Sequence, residues 1–373
     1  MNRLSKRNVK NLFIINCLLL SLILSMLFSA EMVHGDESET SQEPQIGKKQ
    51  VPEPSNEQNK GMEVGFTVEA VKTDTQVDES KGFFFVKVLP GQEQQLTLKI
   101  KSTSEEERKV TIKIRDAFTN QNGEIDYDGA EYQRDESLKN SMEEITSVSE
   151  ETVSVKNKEE KEIIITVKPP KESFDGVKVA AIVVMNAEDT EEQQKGLSSN
   201  YGYRLGLVIT EEEEVDYSDG SSLNLLQVKP TVHQGKRVIQ ARLQNPEPKI
   251  LDSLTVETKL RKKGDKEVLR KRTTNDMRMA PNSQFDFATN WGLDPIEAGT
   301  YVLSIKADSG ENTWSWEEEF TIGEKEAKKI NEEATYTITY PSWVPIVVLL
   351  IGTTTLANIG SLYVRRKKWT KEE

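Results

Sequence analysis

The sequence has 373 residues, with 49 lysines and arginines against 62 aspartates and glutamates, and a formal net charge of −13. A field of this sign repels nucleic acids and other polyanions unless a local basic patch overrides it, which excludes a nucleic-acid-binding function. The single cysteine, Cys17, excludes a fold that depends on internal disulfide bonds.

The N-terminus has the three parts of a secretory signal peptide. Four basic residues precede the uncharged apolar run Leu12–Ala30, and Val33-His34-Gly35 supplies the small-residue exit. We therefore predict a signal peptide over residues 1–35 and a mature chain that begins at Asp36. Lipid attachment at Cys17 is the alternative, and it is disfavoured because this cysteine lies inside the apolar run rather than at its end.

The next segment, residues 36–62, contains almost no large apolar side chain. Such a segment cannot bury enough surface to offset the entropy of ordering, which predicts a disordered spacer.

The charge of the chain is unevenly distributed. Without the nine basic and three acidic residues of the signal peptide and the C-terminal tail, 40 basic and 59 acidic residues remain. Residues 36–364, the part predicted below to lie outside the cell or in the membrane and called the exterior, therefore carry a charge near −19, more acidic than the chain as a whole.

Alternating and β-branched runs begin near Glu63 and predict a first β-sandwich over residues 63–214. In Gln95–Lys101 (QLTLKIK), apolar residues occupy alternate positions, so one face enters a core and the other faces water. Val177–Met185 is nearly apolar throughout, which predicts a central strand. The like-charge run Glu211–Glu214 marks the domain boundary. The other strands predicted in this domain are Val64–Val71, Phe83–Val88, Lys109–Arg115, Thr152–Lys156, Glu162–Lys168 and Tyr201–Thr210.

A smaller set of runs predicts a second sandwich over residues 215–323. Proline-containing breaks separate these runs, since proline cannot donate to a β-ladder. The predicted strands are Ser222–Val228, Arg237–Gln244, Leu254–Lys262, Gln284–Ala288, Thr300–Ala307 and Thr313–Ile322. The predicted fold class is thus all-β, with two tandem immunoglobulin-like β-sandwich domains followed by a C-terminal transmembrane helix.

The C-terminal region supplies a stalk and an anchor. Lys325–Thr335 is polar and helix-capable, which predicts a stalk over residues 324–343. Val344–Val364 contains 21 residues without a charge, enough to span roughly 31 Å as a helix, about the thickness of a bilayer's hydrocarbon core. Basic residues open the tail, 365–373, so the positive-inside rule places the tail in the cytoplasm and the body outside. A sortase motif is missing just ahead of the helix, which favours anchoring in the bilayer over covalent wall attachment.

The sequence contains no motif that predicts an enzyme, a cofactor or a metal. One histidine, His233, remains after signal cleavage, and it offers neither a triad nor a metal cluster. Carboxylates are plentiful, so counting does not exclude a glycosidase-like pair. The segment Thr119–Asp128 resembles a calcium loop, but it lacks the regular acidic positions of an EF-hand. Asn122-Gly123 predicts a hairpin turn there, with both residues at positive φ angles.

Candidate binding residues come from this segment and from one predicted strand. Trp314 and Trp316 should face the same side of their strand, where core packing is favoured over an exposed binding pair. No catalytic, cofactor-binding or metal-binding residue is predicted. The candidate binding residues are Asn120, Tyr127, Trp314 and Trp316.

A series of short motifs runs through residues 63–322 in a definite order. They are Phe84-Phe85, Leu89-Pro90-Gly91-Gln92, Ala117-Phe118-Thr119-Asn120, Phe174-Asp175-Gly176, Leu225–Pro230, Ala241–Asn245, Gly299-Thr300-Tyr301 and Trp314-Ser315-Trp316. In this order they resemble the WxL-interacting protein family. The acidic stretch Glu143–Glu151 departs from the family pattern, and the single Trp291-Gly292-Leu293 does not make the chain a WxL-domain protein, since those proteins use two such motifs.

This resemblance implies a peptidoglycan-binding domain followed by a host-binding domain at a Gram-positive cell surface. The implied function is a non-enzymatic, membrane-anchored scaffold. Its implied partners are peptidoglycan, WxL-domain surface proteins, a host extracellular-matrix protein and, at the C-terminal helix, membrane lipid. Two alternatives stay open: an adhesin that binds host matrix protein directly, and a cell-wall hydrolase.

Overall fold

The computed structural model describes residues 64–128, 133–187, 202–213, 216–335 and 343–369. The predicted signal peptide and spacer lie outside the described residues. Within the described residues the chain forms eighteen β-strands and three helices. The all-β class predicted from the sequence, with two immunoglobulin-like sandwiches and a C-terminal apolar helix, is confirmed.

The first sandwich packs a four-stranded sheet against a five-stranded sheet. The smaller sheet has the order β1-β3-β9-β7, formed by β1 (Phe66–Ala70), β3 (Gln94–Ser102), β9 (Glu160–Val167) and β7 (Thr146–Val148). The larger sheet has the order β2-β11-β10-β4-β8, formed by β2 (Phe84–Lys87), β11 (Gly202–Thr210), β10 (Val177–Asn186), β4 (Arg108–Asp116) and β8 (Thr152–Val155). β2 and β11 run parallel at this edge, whereas the other strand pairs of the first sandwich are antiparallel.

Alternation along the strands builds the first core. Leu96, Leu98 and Ile100 of β3 are fully buried, whereas Lys101 of the same strand is exposed. β10 lies in the middle of its sheet, as its apolar sequence predicted. Each fully buried aliphatic side chain of this kind stabilises the fold by about 1.5–3 kcal/mol relative to an exposed one.

Between β4 and β7 the chain forms elements that the sequence did not predict. A short hairpin joins β5 (Phe118–Thr119) to β6 (Ile125–Asp126), and one helical turn, α1 (Met142–Ile145), follows. Met142 is buried in the first core. The acidic stretch Glu143–Glu151 is therefore part of the sandwich, because it contains most of α1 and all of β7.

The second sandwich has seven strands in two sheets. The three-stranded sheet has the order β12-β13-β16, formed by β12 (Asn224–His233), β13 (Lys236–Asn245) and β16 (Ser283–Asn290). The four-stranded sheet has the order β15-β14-β17-β18, formed by β15 (Arg270–Met279), β14 (Leu251–Lys262), β17 (Gly299–Ser309) and β18 (Asn312–Ile322). Their inner faces enclose a separate core that includes Phe287, Tyr301 and Leu303.

Two helices follow the second sandwich. α2 (Glu324–Glu333) buries Ala327 and Ile330 in the second core, and Asn331 bonds the backbone of Ile296 in both directions at 2.8 and 2.9 Å. Much of the segment predicted as a stalk is thus packed on the sandwich. α3 (Val344–Trp369) contains a 21-residue apolar part of mean hydropathy 1.7, long and apolar enough to cross a membrane.

Candidate functional site

A cleft of about 600 Å³ lies between the β5–β6 hairpin and the β12-β13-β16 sheet, so both sandwiches contribute to it. Amide and carboxylate side chains make up most of its walls. The first sandwich and the loop after it contribute Phe118, Thr119, Asn120, Gln121, Asn122, Asp126, Asp128 and Gln133. The second sandwich contributes Gln234, Arg242, Gln284, Phe285 and Asp286.

The hairpin turn that forms one wall is held by Asn120. Its side-chain Oδ1 accepts hydrogen bonds from the backbone N–H groups of Asn122 at 2.9 Å and Glu124 at 3.1 Å. The Asn120 N–H also donates to the Glu124 carbonyl at 2.8 Å, which closes a longer loop than the two-residue turn predicted from Asn122-Gly123. Of that predicted pair only Gly123 has a positive φ angle, at 77°. The rest of the turn is therefore fixed by a side chain rather than by a second left-handed residue.

Buried hydrogen bonds join this wall to the second sandwich. Thr119 Oγ1 lies 2.5 Å from Ser283 Oγ and accepts the Ala280 N–H at 3.0 Å. The Gly123 carbonyl accepts the Arg278 N–H at 2.7 Å. Since buried polar groups are costly to leave unpaired, these bonds fix the hairpin against the second sandwich.

A second polar contact crosses the junction next to the cleft. The carboxylate of Asp135, 4% exposed, accepts both Ser137 N–H and O–H groups at 2.8 and 2.6 Å. The Gln244 amide of β13 donates to the two oxygens of this carboxylate at 2.9 and 3.0 Å. Asp135 is thus satisfied partly by its own loop and partly by the other sandwich.

The charged groups of the cleft are paired with each other or with a neighbour. Arg242 forms a two-pronged pair with Asp286 at 2.8 and 3.0 Å, and hydrogen bonding to Asp286 raises the pKa of the guanidinium above its ordinary value. Arg204 of β11 lies 3.2 Å from Asp128 and 4.0 Å from Asp126. Exposed amides such as Gln121 and Asn122 are the remaining polar groups. A ligand rich in hydroxyl and amide groups would match them, because a carboxamide both donates and accepts hydrogen bonds.

The structure separates the four candidate binding residues into three places. Asn120 lines the cleft, although its carboxamide holds the turn. Tyr127 follows β6 and is half-buried, and burial raises the pKa of its phenol, with the nearby Arg278 charge acting in the opposite direction. Trp314 and Trp316 lie on β18, half-buried and packed against the second core, as their alternation predicted.

Several residues of the cleft were not predicted from the sequence. Arg242 and Asp286 lie on neighbouring strands 44 residues apart, and Asp135 and Gln244 are 109 residues apart. No local pattern marks such pairs. The first depends on how β13 pairs with β16, and the second depends on how the two sandwiches pack. Only the amide-rich segment around Asn120 carried a signal in the sequence.

Comparison with known families gives a match for each half of the two-sandwich region. Residues 66–186 match the WxL Interacting Protein, peptidoglycan binding domain, and residues 192–332 match the WxL Interacting Protein, host binding domain. The two-sandwich fold and these tandem matches define a cell-surface binding protein. The chain belongs to the WxL Interacting Protein family. The second match includes β11, which pairs with β10 and β2 of the first sandwich, so the matched range and the sheets divide the chain differently.

Solved structures with detectable similarity include fimbrial and related chaperones. The E. coli chaperone DraB is 14% identical over 68% of this chain and 98% of its own, with a TM-score of 0.27. The Pseudomonas aeruginosa CupB2 chaperone is 15% identical over 62% of this chain and 95% of its own, with a TM-score of 0.26. Among curated proteins no relative matches the chain.

Proposed function

We propose that this protein is a non-enzymatic, membrane-anchored scaffold that binds peptidoglycan and a WxL-domain surface protein. The observation that carries the proposal is the order of its parts: a peptidoglycan-binding match, a host-binding match and then the apolar helix α3. In this order the anchor follows both binding modules directly. The helix keeps them at the outer face of the membrane, within reach of the wall.

Charge supports this orientation. Basic residues 365–368 follow the apolar part of α3, and cytoplasmic flanks of membrane helices are enriched in such residues. The exterior, near −19, repels the anionic polymers of a wall. Its wall ligand is therefore an uncharged or zwitterionic part of peptidoglycan, bound through hydrogen bonds rather than through net charge.

The cleft between the sandwiches is the proposed wall-binding site. Its arginine and carboxylates are paired, and its exposed amides match the hydroxyl and acetamido groups of a glycan strand. The test uses the full chain in detergent and purified peptidoglycan sacculi, with bound protein measured after sedimentation. The double variant Asn122→Ala with Gln284→Ala should weaken binding by about tenfold or more, since each lost hydrogen bond contributes about 1 kcal/mol.

The control removes two exposed amides of the first sandwich that do not line the cleft, by Gln95→Ala with Asn157→Ala. This variant should bind as the wild type does. Equal losses in both double variants would exclude the cleft as the site, and failure of the wild type to sediment with sacculi would exclude peptidoglycan binding. Release of soluble wall fragments by the wild type would contradict a non-enzymatic scaffold.

The second part of the proposal is capture of a WxL-domain protein. Full-length protein, purified with an affinity tag, is expected to retain a WxL-domain surface protein from the same cells. A protein with α3 changed to a soluble linker serves as a control, since it should capture the partner without sedimenting with membranes. Absence of any WxL-domain protein from both eluates would contradict this part alone.

A direct adhesin is the second candidate, favoured by the host-binding match over residues 192–332. Here the second sandwich itself would bind an extracellular-matrix protein. Attachment of the purified full chain to immobilised matrix proteins, in the absence of any WxL-domain protein, distinguishes the two functions. Attachment without the partner supports the adhesin, whereas attachment that requires it supports the scaffold.

A further inference from the structure

We propose that one end of the second sandwich rests on the membrane surface through the β14–β15 turn, which contacts anionic lipid. The inference depends on the membrane anchoring proposed above. We define the turn end as residues 261–272 together with the β16–β17 loop, residues 291–298. No wall or partner binding is required for this contact.

Several elements meet at the turn end. The Lys263 N–H donates to the Thr300 carbonyl at 2.9 Å, which places the turn beside the start of β17. Arg270 pairs with Asp294 of the β16–β17 loop at 3.1 Å. The same loop bonds Asn331 of α2, so the turn end also contains the element from which the chain leaves the sandwich.

The chain has little room to carry the sandwich away from the membrane. α2 is packed on the second core, and Thr335 donates its N–H to the Gly235 carbonyl at 3.0 Å. Only residues 336–342 join Thr335 to Trp343, and an extended chain of that length spans at most about 29 Å. Thr335 therefore lies within this reach of the start of α3. It contacts the β12–β13 turn, which adjoins the turn end where the Trp291 N–H donates to the Arg237 carbonyl.

Apolar side chains are exposed at this end of the sandwich. Val268 and Leu269 are 45% and 36% exposed in the turn, and Leu293 of the neighbouring loop is 50% exposed. Other large apolar side chains with comparable exposure among the described residues lie mostly on α3 or, as Trp343, directly before it, with Leu89 and Leu226 as exceptions. These three side chains at the turn end form an exposed apolar surface, and contact with lipid would remove it from water.

The turn has a positive charge in an otherwise acidic exterior. Residues 261–272 contain seven basic and two acidic residues, a charge of +5. Much of this charge is offset by four neighbouring acidic residues, whereas Lys262 and Lys266 form no ion pair with any residue that the structure describes. The four pairs are Arg261–Glu317, Lys263–Glu319, Arg270–Asp294 and Lys271–Glu257. Lys266 at the tip is exposed beside Val268 and would meet a surface first. Juxtamembrane basic residues of this kind are attracted to anionic lipid.

Lipid fits this combination better than an anionic wall polymer does. A polymer of polyol phosphates would use the basic residues, but it would leave Val268, Leu269 and Leu293 in water. A bilayer surface accommodates both groups, because its phosphates lie directly above an apolar interior. The position of the turn end near α3 favours the same partner.

The test measures contact with lipid at single positions of the full chain, with Cys17, the only cysteine, changed to Ser. An environment-sensitive fluorophore is attached to Val268→Cys in protein reconstituted into phosphatidylglycerol-containing nanodiscs with headgroup-quenching lipid. Glu311→Cys, on the β17–β18 turn at the other end of the same sheet, is the matched control. Gly352→Cys within α3 reports insertion of the anchor and is measured in matched nanodiscs whose quencher is attached to a lipid acyl chain.

We expect quenching at positions 268 and 352 and none at 311. The quenching at 268 should be lost in nanodiscs of pure phosphatidylcholine, at high ionic strength, and when Lys262 and Lys266 are changed to Gln. Equal signals at 268 and 311, with 352 quenched, would overturn the inference and leave the anchor intact. No quenching at 352 would remove the membrane anchoring and the inference together. A response at 268 to soluble polyglycerol phosphate in detergent would assign the turn to a wall polymer and overturn the lipid contact.

Discussion

Gly123 is the residue on which the hairpin wall of the cleft depends. Its φ angle is 77°, and a Cβ atom added there would lie 2.5 Å from Met277 Sδ and 2.8 Å from Met277 Cβ. A side chain at this position would therefore be strained by its backbone and would also push Met277 away. Because the Met277 Cβ atom cannot move without its strand, the clash is not relieved by a rotation of the methionine alone.

The substitution Gly123→Ala should lower the free energy of unfolding, measured by urea denaturation. Gly264→Ala is the control, since Gly264 has a φ angle of 89° but nothing within 4 Å of its Cβ position. Both variants carry the backbone strain, so their difference isolates the clash, which we expect to cost about 1–3 kcal/mol. Equal losses of stability would show that Met277 can move aside.

Asp116 is a buried carboxyl group whose ionisation should leave a mark on stability. It is 2% exposed and accepts the Met142 N–H at 2.7 Å, while Arg134 lies 3.4 Å away. Burial raises the pKa of this carboxyl above its ordinary value, and the Glu143 charge acts in the same direction. The buried Lys178 faces the same group, and burial lowers the pKa of its amine.

The sign of the pH effect follows from the raised pKa of Asp116. As pH rises above the ordinary value of an aspartate, the unfolded chain loses the proton first, and the folded chain loses stability until its own pKa is passed. Asp116→Asn has no such proton. Its stability relative to the wild type should therefore increase with pH through this window, measured by urea unfolding at successive pH values.

Glu143→Gln is the control, because it removes a charge that raises the pKa of Asp116. The pH range between the ordinary aspartate pKa and the pKa of Asp116 in the folded protein should become narrower in this variant. If the wild type instead gained stability over Asp116→Asn with rising pH, the backbone amides and Arg134 would outweigh burial. The pKa of Asp116 would then be lowered rather than raised.

At the scale of elements, alternation predicted the strands that lie over a core. β3 and β10 were predicted because their apolar residues face that core. β15 was not, because its sequence, RKRTTNDMRM, buries only Met277 and Met279 as core residues and lies at the edge of its sheet. The sequence predicted a turn at the β5–β6 hairpin but not the strands β5 and β6, because a two-residue strand is too short to show an alternation of apolar and polar residues. The parallel pairing of β2 with β11 depends on chain topology, which no local pattern encodes.

The packing of α2 on the second sandwich is testable through one buried residue. Ile330 is 5% exposed in the second core, whereas Lys329 is exposed. Ile330→Ala should lower the free energy of unfolding by about 2–5 kcal/mol, the range for truncating a buried aliphatic side chain. Lys329→Ala should change it by less than about 0.5 kcal/mol. Equal, small effects would show a free stalk, as the sequence predicted, and limited proteolysis should then cut within residues 324–333.

At the scale of the whole molecule, buried hydrogen bonds join the two sandwiches. Two of these hydrogen bonds join residues more than 100 positions apart in the chain, namely Thr119 with Ser283 and Asp135 with Gln244. The sequence predicted two sandwiches in tandem, but a pattern of alternating residues does not encode how two folded domains pack against each other. The cleft between the sandwiches could not be predicted for the same reason. Its proposed role in wall binding requires that the junction between the sandwiches is maintained.

Gln244→Glu should break this junction selectively. The new carboxylate would lie about 3 Å from the buried Asp135 carboxylate, and two like charges there should cost about 3–5 kcal/mol, as other uncompensated buried charges do. We expect the single thermal transition of the wild type to divide into two, one for each sandwich. Gln95→Glu, at an exposed position of β3 in the first sandwich, is the control and should retain one transition.

Asp135→Asn should rescue Gln244→Glu, because it restores one amide and one carboxylate at the same contact with their roles exchanged. The double variant is therefore expected to regain a single transition, as measured by calorimetry. If the double variant still unfolded in two steps, the junction would depend on the contacts of Thr119 rather than on this pair. A separate measurement is the binding of these variants to peptidoglycan. Loss of binding in Gln244→Glu, with recovery in the double variant, would show that the proposed wall-binding site requires an intact junction.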